Sequence, residues 1–347
     1  MANNTPLTSD FYWACHEGEV DKVKNYMKNL TTEQLNKIEP NGSTALHAAS
    51  FYGNEQIVRL LLEKGVSRSI RNRYSLTAYE EASTDEVKKL FQRQSATDRF
   101  VGGMQGEQIE WMKVDSEIKK KAADQRKLHN QEWDKLNICG HVKYIREKYI
   151  NKSLQNIDGI DLINYYYIKA YEDNDPVQVL TAYTAETDYY KVLNHQLAVV
   201  HEDSWSDGLE NRFGRNKILT IMTSHPSLSC FTFFGFTYRG MRVTETNLSQ
   251  YVVGTQLMNK AFLSTSKDRQ IAESFAKQVE ETNDGKIGAL CSYDIRNNRS
   301  GIDMESISEY PYEKEILVIP FTVFEVTDIQ YKAGNNVEIC LRECDLE

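Results

Sequence analysis

The spacing of apolar and polar positions changes three times along the chain. Up to residue 94 apolar positions recur at helical spacing. In "NGSTALHAASFYGNEQIVRLLLEKGVSRSIRNR" the residues Ala48, Ala49, Ile57, Val58, Leu60, Leu61 and Leu62 predict two short packed helices, with Gly65 placed as a C-cap. Residues 95–153 lose that stripe. "DSEIKKKAADQRKLHNQEWDKL" is charged and helix-prone, which predicts a helical connector with a solvated face. From Leu154, "DGIDLINYYYIKAYEDNDPVQVLTAYTAETDYYKVLNHQLA" predicts two or three helices with apolar stripes. After Lys217 short β-like runs follow, in "SCFTFFGFTYRGMRV", "GTQLMNKAFLSTS", "IGALCSYDI", "KEILVIPFTVFEVTDIQY" and "NNVEICLREC". Helices followed mostly by strands predict an α+β domain over 154–347, not an alternating parallel sheet.

The first segment also repeats itself. Thr77-Ala78 restate the Thr44-Ala45 pair one unit later, and "FYWACHEGEVDKVKNYM" upstream carries Gly18 in the place of Gly53. With Thr44 and His47 as its tight-turn pair, the middle copy resembles an ankyrin repeat, flanked by two degraded copies. Units of this kind bury a core only by stacking. The resemblance implies an ankyrin-like array over 1–94 that either binds a protein partner or caps the next domain.

A chain of 347 residues, 40% hydrophobic and 26% charged, suits a soluble protein of two or three domains. The net charge of −9 argues against general nucleic-acid binding, whose footprint is usually basic. No apolar run approaches the length of a membrane span, so no membrane association is expected. "MANNTPLTSDFYWACHEGEV" shows no secretory pattern and "EICLRECDLE" no lipid-anchor tail, so a cytoplasmic location is expected. The cysteines Cys15, Cys139, Cys230, Cys291, Cys340 and Cys344 form no CxxC or Cys/His cluster, so no metal site is predicted. Free thiols are expected, with a disulfide or two in a non-classically exported protein as the alternative.

Three stretches of the last domain carry candidate chemistry. In "FTYRG", Arg239 near a strand end offers a cationic fork for phosphate, and Gly240 leaves the backbone open to a ligand. In "AFLSTS", Ser264 and Ser266 share one strand face, and in the following "DRQIAESFA" Phe275 is placed to pack back toward the strand. In "EYPYEKEILVIP", Glu313 and Glu315 lie two apart at the start of an apolar strand, where alternation places both carboxylates on one face. Two such carboxylates can bind two hydroxyls, or stabilise a cation while activating a nucleophile. Each stretch alone also fits an ordinary surface strand.

Their order, with "LTAYTAETDYYKVLN" upstream, resembles the arginine-specific mono-ADP-ribosyltransferases of the R-S-E class, which include animal ecto-enzymes and cholera-toxin-like toxins. The resemblance implies a helical lobe plus two packed, mainly antiparallel sheets around an NAD cleft, with NAD as co-substrate. In that pattern Arg239 holds the NAD phosphates, the Gly240 backbone meets the nicotinamide amide, Ser264 fixes the nicotinamide ribose and Phe275 stacks on nicotinamide. Glu315 bonds the ribose 2′-hydroxyl and stabilises the oxocarbenium-like charge as nicotinamide leaves. Glu313 positions and activates the acceptor, and a carboxylate here favours arginine over a neutral side chain. Tyr310 and Tyr312 then lie in the turn that meets the target protein. Two other functions stay open: an enzyme that mainly hydrolyses NAD, and a catalytically silent ankyrin interaction protein.

Overall fold

The computed structural model of the chain describes residues 8–93, 111–132, 138–199, 209–277, 286–332 and 336–345. The repeats open with α1 (Asp10–His16) and α2 (Val20–Met27), linked by α3 (Thr32–Leu35) to the central pair α4 (Ala45–Phe51) and α5 (Glu55–Glu63). In the last copy a turn at 78–81 stands where a first helix would, and α6 (Asp85–Leu90) closes the array. Thr44 caps α4 reciprocally with His47. The His47 ring lies 2.7 Å from the Thr44 hydroxyl through Nδ1 and 3.0 Å from the Leu76 carbonyl through Nε2, so one imidazole ties two repeats together. Asn54 does the same on the other side, donating to the Cys15 and His16 carbonyls at 2.8 and 3.0 Å.

Next come β1 (Trp111–Lys113), α7 (Ser116–Glu132) and α8 (Ile138–Tyr144), which runs through a π-helical turn at Ile145–Ile150 into α9 (Asn151–Ser153). Four longer helices follow: α10 (Ile160–Glu172), α11 (Val177–Thr184), α12 (Asp188–Val199) and α13 (Leu209–Ser224). The remainder is β2 (Thr232–Phe233), β3 (Gly235–Val243), α14 (Glu245–Leu248), β4 (Gln256–Asn259), β5 (Leu263–Ser266), α15 (Arg269–Lys277), β6 (Ile287–Ile295), β7 (Gly301–Asp303), β8 (Glu315–Val318), β9 (Val323–Lys332) and β10 (Asn336–Glu343). Among the described residues no helix is long and apolar enough to cross a membrane.

The stretch 95–153 departs from a solvated connector. Strand β1 pairs antiparallel with β4 at the edge of the sheet. Ile138, Val142, Ile145, Tyr149 and Ile150 are buried in the same core as α10 to α13. The first four recur four, three and four apart, a buried stripe that begins just after the charged run that dominates the segment's composition. Residues 95–110 and 133–137 of the expected connector lie outside the described residues.

The strands run β1-β4-β9-β10-β6-β3-β5-β8-β7-β2, and every pairing is antiparallel except β10 with β6. Between β3 and β5 the ladder holds a single pair, Tyr238 with Ser266, beyond which the two strands part. The ten strands thus form a six-stranded and a four-stranded portion. Val318 packs with Met241 and Cys291 between the two portions, while its neighbour Leu317 packs into the helical core. Strand alternation therefore lets β8 join three layers: helices, four strands, six strands.

Candidate active site

The parting of β3 from β5 is where the first two predicted residues meet. Arg239 is held on β3 by pairing with Cys291 of β6, and its guanidinium reaches across the gap to donate from Nη1 to the Ser264 carbonyl at 2.9 Å. Just before the gap the strands are pinned by hydroxyls. Thr237 Oγ1 lies 2.6 Å from Thr265 Oγ1, which donates to the Ile316 carbonyl at 2.6 Å. This clamp leaves the fork between Arg239 and Ser264 as the place where backbone groups of two adjacent strands are no longer spent on each other. Arg239 and Ser264 are each 2% exposed.

Antiparallel partners share a face, so the pairs Ser264–Leu317 and Ser266–Glu315 place both serines and Glu315 on the side of the sheet turned toward the helical core. Glu315 is fully buried. Helix α15 lies over β3 and carries Phe275, which is also buried. Gly240 is what allows that approach: a Cβ there would stand 2.0 Å from the Ala272 carbonyl oxygen and 2.7 Å from the Ala276 nitrogen. The glycine expected to open the backbone to a ligand thus also seats a helix.

Glu313 and Glu315 do not share a strand face, contrary to the alternation expected of them. Glu313 ends a 3-10 turn at Pro311–Glu313, Lys314 is left-handed at φ 47°, and β8 begins only at Glu315. Pro311 at the first helical position presets the turn, and the left-handed residue redirects the chain before the strand starts. The turn is tied to the serine strand. Ser266 Oγ donates to the Glu313 carbonyl at 2.7 Å, and the Lys314 ammonium lies 3.0 Å from Asp268 Oδ2.

Residues that the sequence did not single out complete this region. Arg93, just past α6, donates from Nε to Glu313 Oε1 at 2.9 Å and from Nη2 to Glu313 Oε2 at 3.3 Å. Its Nη2 also reaches the Thr184 carbonyl at 3.2 Å, and its Nη1 bonds Glu186. Burial pushes the guanidinium's pKa down, but the Glu313 carboxylate outweighs it and the net shift is upward, so Arg93 is a fixed cation. Its guanidinium carbon lies 3.8 Å from the centre of the Tyr310 ring, and Arg68 lies 5.0 Å from the same ring. The Arg93 N–H donates to the Tyr312 hydroxyl. Glu309 accepts from the Arg68 and Ser69 amides at 2.9 and 3.1 Å, from the Ser67 hydroxyl at 3.0 Å, and from Tyr166.

Tyr310 and Tyr312, expected at the target-facing turn, therefore contact the chain's own repeats. Tyr310 is 1% exposed. Nothing in "FQRQ" marks Arg93, because its partners are distant in sequence. Glu186 lies inside the quoted "TAYTAETDYY" signature, which was the one available hint. Among the described residues no three His, Cys, Asp or Glu are grouped to hold a metal ion.

A family model described as NAD:arginine ADP-ribosyltransferase matches residues 104–346, and a model of ankyrin repeats in three copies matches residues 11–96. Among curated proteins, the putative NAD(+)–arginine ADP-ribosyltransferase Vis of Vibrio splendidus is 27% identical over 141 residues, covering 41% of this chain and 54% of that protein. The chain thus spans about half the length of that relative. The human NAD-capped RNA hydrolase NUDT12 is 36% identical over 74 residues, 21% of this chain and 16% of that protein. Among solved structures, ADP-ribosyltransferase Vis in complex with the M6 inhibitor aligns at 17% identity and a TM-score of 0.38, over 67% of this chain and 86% of that one. With the family model covering the helical lobe, all ten strands and every predicted site residue, the chain belongs to the NAD:arginine ADP-ribosyltransferase family and carries three ankyrin repeats ahead of that domain.

Proposed function

We propose that the chain transfers ADP-ribose from NAD to arginine side chains of proteins, releasing nicotinamide. The observation that carries this reading is the two-point grip of Glu313 on a guanidinium, through Nε at 2.9 Å and Nη2 at 3.3 Å. A carboxylate that already binds the acceptor's functional group in the right fork geometry suits arginine better than a neutral amide would.

NAD suits the fork between β3 and β5. Arg239 supplies the cation for its phosphates, and Ser264 supplies a hydroxyl for the nicotinamide ribose. The Gly240 backbone meets the nicotinamide amide, and Phe275 offers the stacking ring. Glu315 bonds the ribose 2′-hydroxyl and opposes the positive charge that grows at the anomeric carbon as nicotinamide leaves. Its burial strengthens that opposition, because a fixed carboxylate acts through less water. Glu313 orients the acceptor guanidinium and takes its proton as the nitrogen bonds the anomeric carbon. Tyr310 and Tyr312 flank the acceptor side, the partner being a protein that presents a surface arginine. The six free cysteines suit a reducing compartment, and we place the protein in the cytoplasm.

Labelled NAD incubated with agmatine or poly-arginine tests the assignment. Glu315→Gln should abolish both transfer and NAD cleavage, whereas Glu313→Gln should lose transfer and keep much of the cleavage. Undiminished transfer in Glu315→Gln would sink the mechanism.

A further inference from the structure

We propose that Arg93 of the ankyrin array is a resident occupant of the acceptor position on Glu313, so that an outside arginine enters only when Arg93 leaves. This rests on Glu313 being the acceptor-binding carboxylate.

Glu313 has two carboxylate oxygens, and Arg93 takes both. The same fork geometry cannot be offered to a second guanidinium at once. Arg93 is further latched in a way a passing acceptor need not be. Nη1 is committed to Glu186, and Nη2 spends one hydrogen on Glu313 and the other on the Thr184 carbonyl. With Nε and Nη2 on Glu313 and the third nitrogen, Nη1, held by Glu186, this guanidinium has no nitrogen left to approach an anomeric carbon, so it fills the position without reacting there.

The contact is part of a docked surface. The whole turn from Glu309 to Glu313 is engaged by the repeats. Glu309 sits against the amides of 68 and 69, Tyr310 lies against the guanidiniums of Arg68 and Arg93, Tyr312 accepts from the Arg93 amide, and Glu313 holds the Arg93 side chain. Arg93 comes from one domain and Glu313 from the other, 220 positions apart, so the pair forms only while the domains are docked. Docking is not closely packed throughout. A cavity of about 410 Å³ remains beside the latch, walled by Arg59, Lys64 and Arg68 of the repeats and by Asp161, Glu186 and Thr187 of the helical lobe.

The test compares the full chain with Arg93→Ala, Arg93→Lys and Glu186→Gln. Three readouts are followed: transfer from NAD to agmatine, NAD cleavage without agmatine, and the intact mass of the protein after incubation with NAD. If the docked form outweighs the open one by an order of magnitude, removing Arg93 lowers the KM for agmatine about tenfold while the KM for NAD stays put. Arg93→Lys keeps the charge but loses the fork, so it should lower the agmatine KM in the same direction while guarding against an unpaired buried carboxylate. Glu186→Gln should do so more weakly.

An agmatine KM unchanged in folded Arg93→Ala and Arg93→Lys, as judged by their melting, overturns the inference alone. So does a mass increase of one ADP-ribosyl group on Arg93, which would make it an acceptor instead of a block. If every form cleaves NAD and none modifies agmatine, the arginine-acceptor reading fails and this inference falls with it.

Discussion

Ser266 Oγ donates to the backbone carbonyl of Glu313 at 2.7 Å, while the Asp268 amide donates to the same hydroxyl at 3.0 Å. One serine side chain thus links the end of the β5 strand, the start of α15 and the turn that carries Glu313, the carboxylate proposed to face the acceptor. Removing it leaves a buried carbonyl without that donor, which costs about 1–2 kcal/mol. Ser266→Ala should therefore lower the denaturation midpoint modestly. It should also depress transfer to agmatine about tenfold relative to NAD cleavage, because Glu313 is displaced and Glu315, on its own strand, is not. Equal losses in both reactions would show that the serine supports the whole site and not the turn.

Gly240 is the tightest point between β3 and α15. An added methyl meets the Ala272 carbonyl oxygen at 2.0 Å, and helix backbone cannot swing aside as a side chain can. Gly240→Ala should destabilise the catalytic domain by about 3 kcal/mol through overpacking. NAD cleavage should fall with it, as Arg239 is the adjacent residue. Chemical denaturation beside an NAD-cleavage assay checks both.

Glu309 is the acceptor for Ser67, Arg68, Ser69 and Tyr166 at once. Glu309→Ala leaves the Arg68 amide without its acceptor and Ser67, Ser69 and Tyr166 with only one another, a loss of about 1–3 kcal/mol. The expected result in calorimetry is one transition in the native chain and two in the variant, as the repeats and the catalytic domain melt apart. An unchanged single transition would show that the carboxylate does not hold the domains together.

His141 is buried in the helical lobe, and burial pushes its pKa down to about 4, helped by the charges of Lys217 and His225. In the unfolded chain the ring titrates near about 6.5. Below that pH the unfolded state takes up a proton that the native state refuses until about pH 4, so stability is full above 6.5 and declines through this window. Burial lowers the pKa of His47 as well, which adds the same trend in the repeats. The stability advantage of the native chain over His141→Gln should shrink as pH falls from 7 toward 4, measured by urea midpoints. A constant difference would remove His141 as the cause.

Much of the catalytic domain was legible because its signals are short-range. "LSTS" and "EKEILV" read as strands from a few residues each, whereas "YRG", expected near a strand end, lies in the middle of β3, which runs on beside β6 to Val243. The relation between Glu313 and Glu315 was misjudged for an equally local reason. The alternation rule holds within a strand, and the Pro311 turn with left-handed Lys314 keeps Glu313 out of it. The segment 95–153 was misjudged through its average composition. The charged run masked the stripe from Ile138 to Ile150, whose burial depends on helices that come later in the chain.

By itself the sequence determined the repeats and the order of helices and strands, and it offered Arg239, Ser264 and Glu315 as candidate site residues. The elements follow from patterns spanning a few residues, where backbone geometry ties position to face, and the candidate residues follow from the order of three motifs that resembles the family's. Only the tertiary structure decided that β3 and β5 part where Arg239 reaches Ser264, and that the repeats close over the Glu309–Glu313 turn. It also decided what stands before Glu313. Arg93 is an unremarked residue in its own stretch, and a partner 220 positions away makes it a buried cation. Electrostatic pairing at that separation leaves no periodic trace in a single chain, because it is set by how domains pack and not by how the backbone repeats.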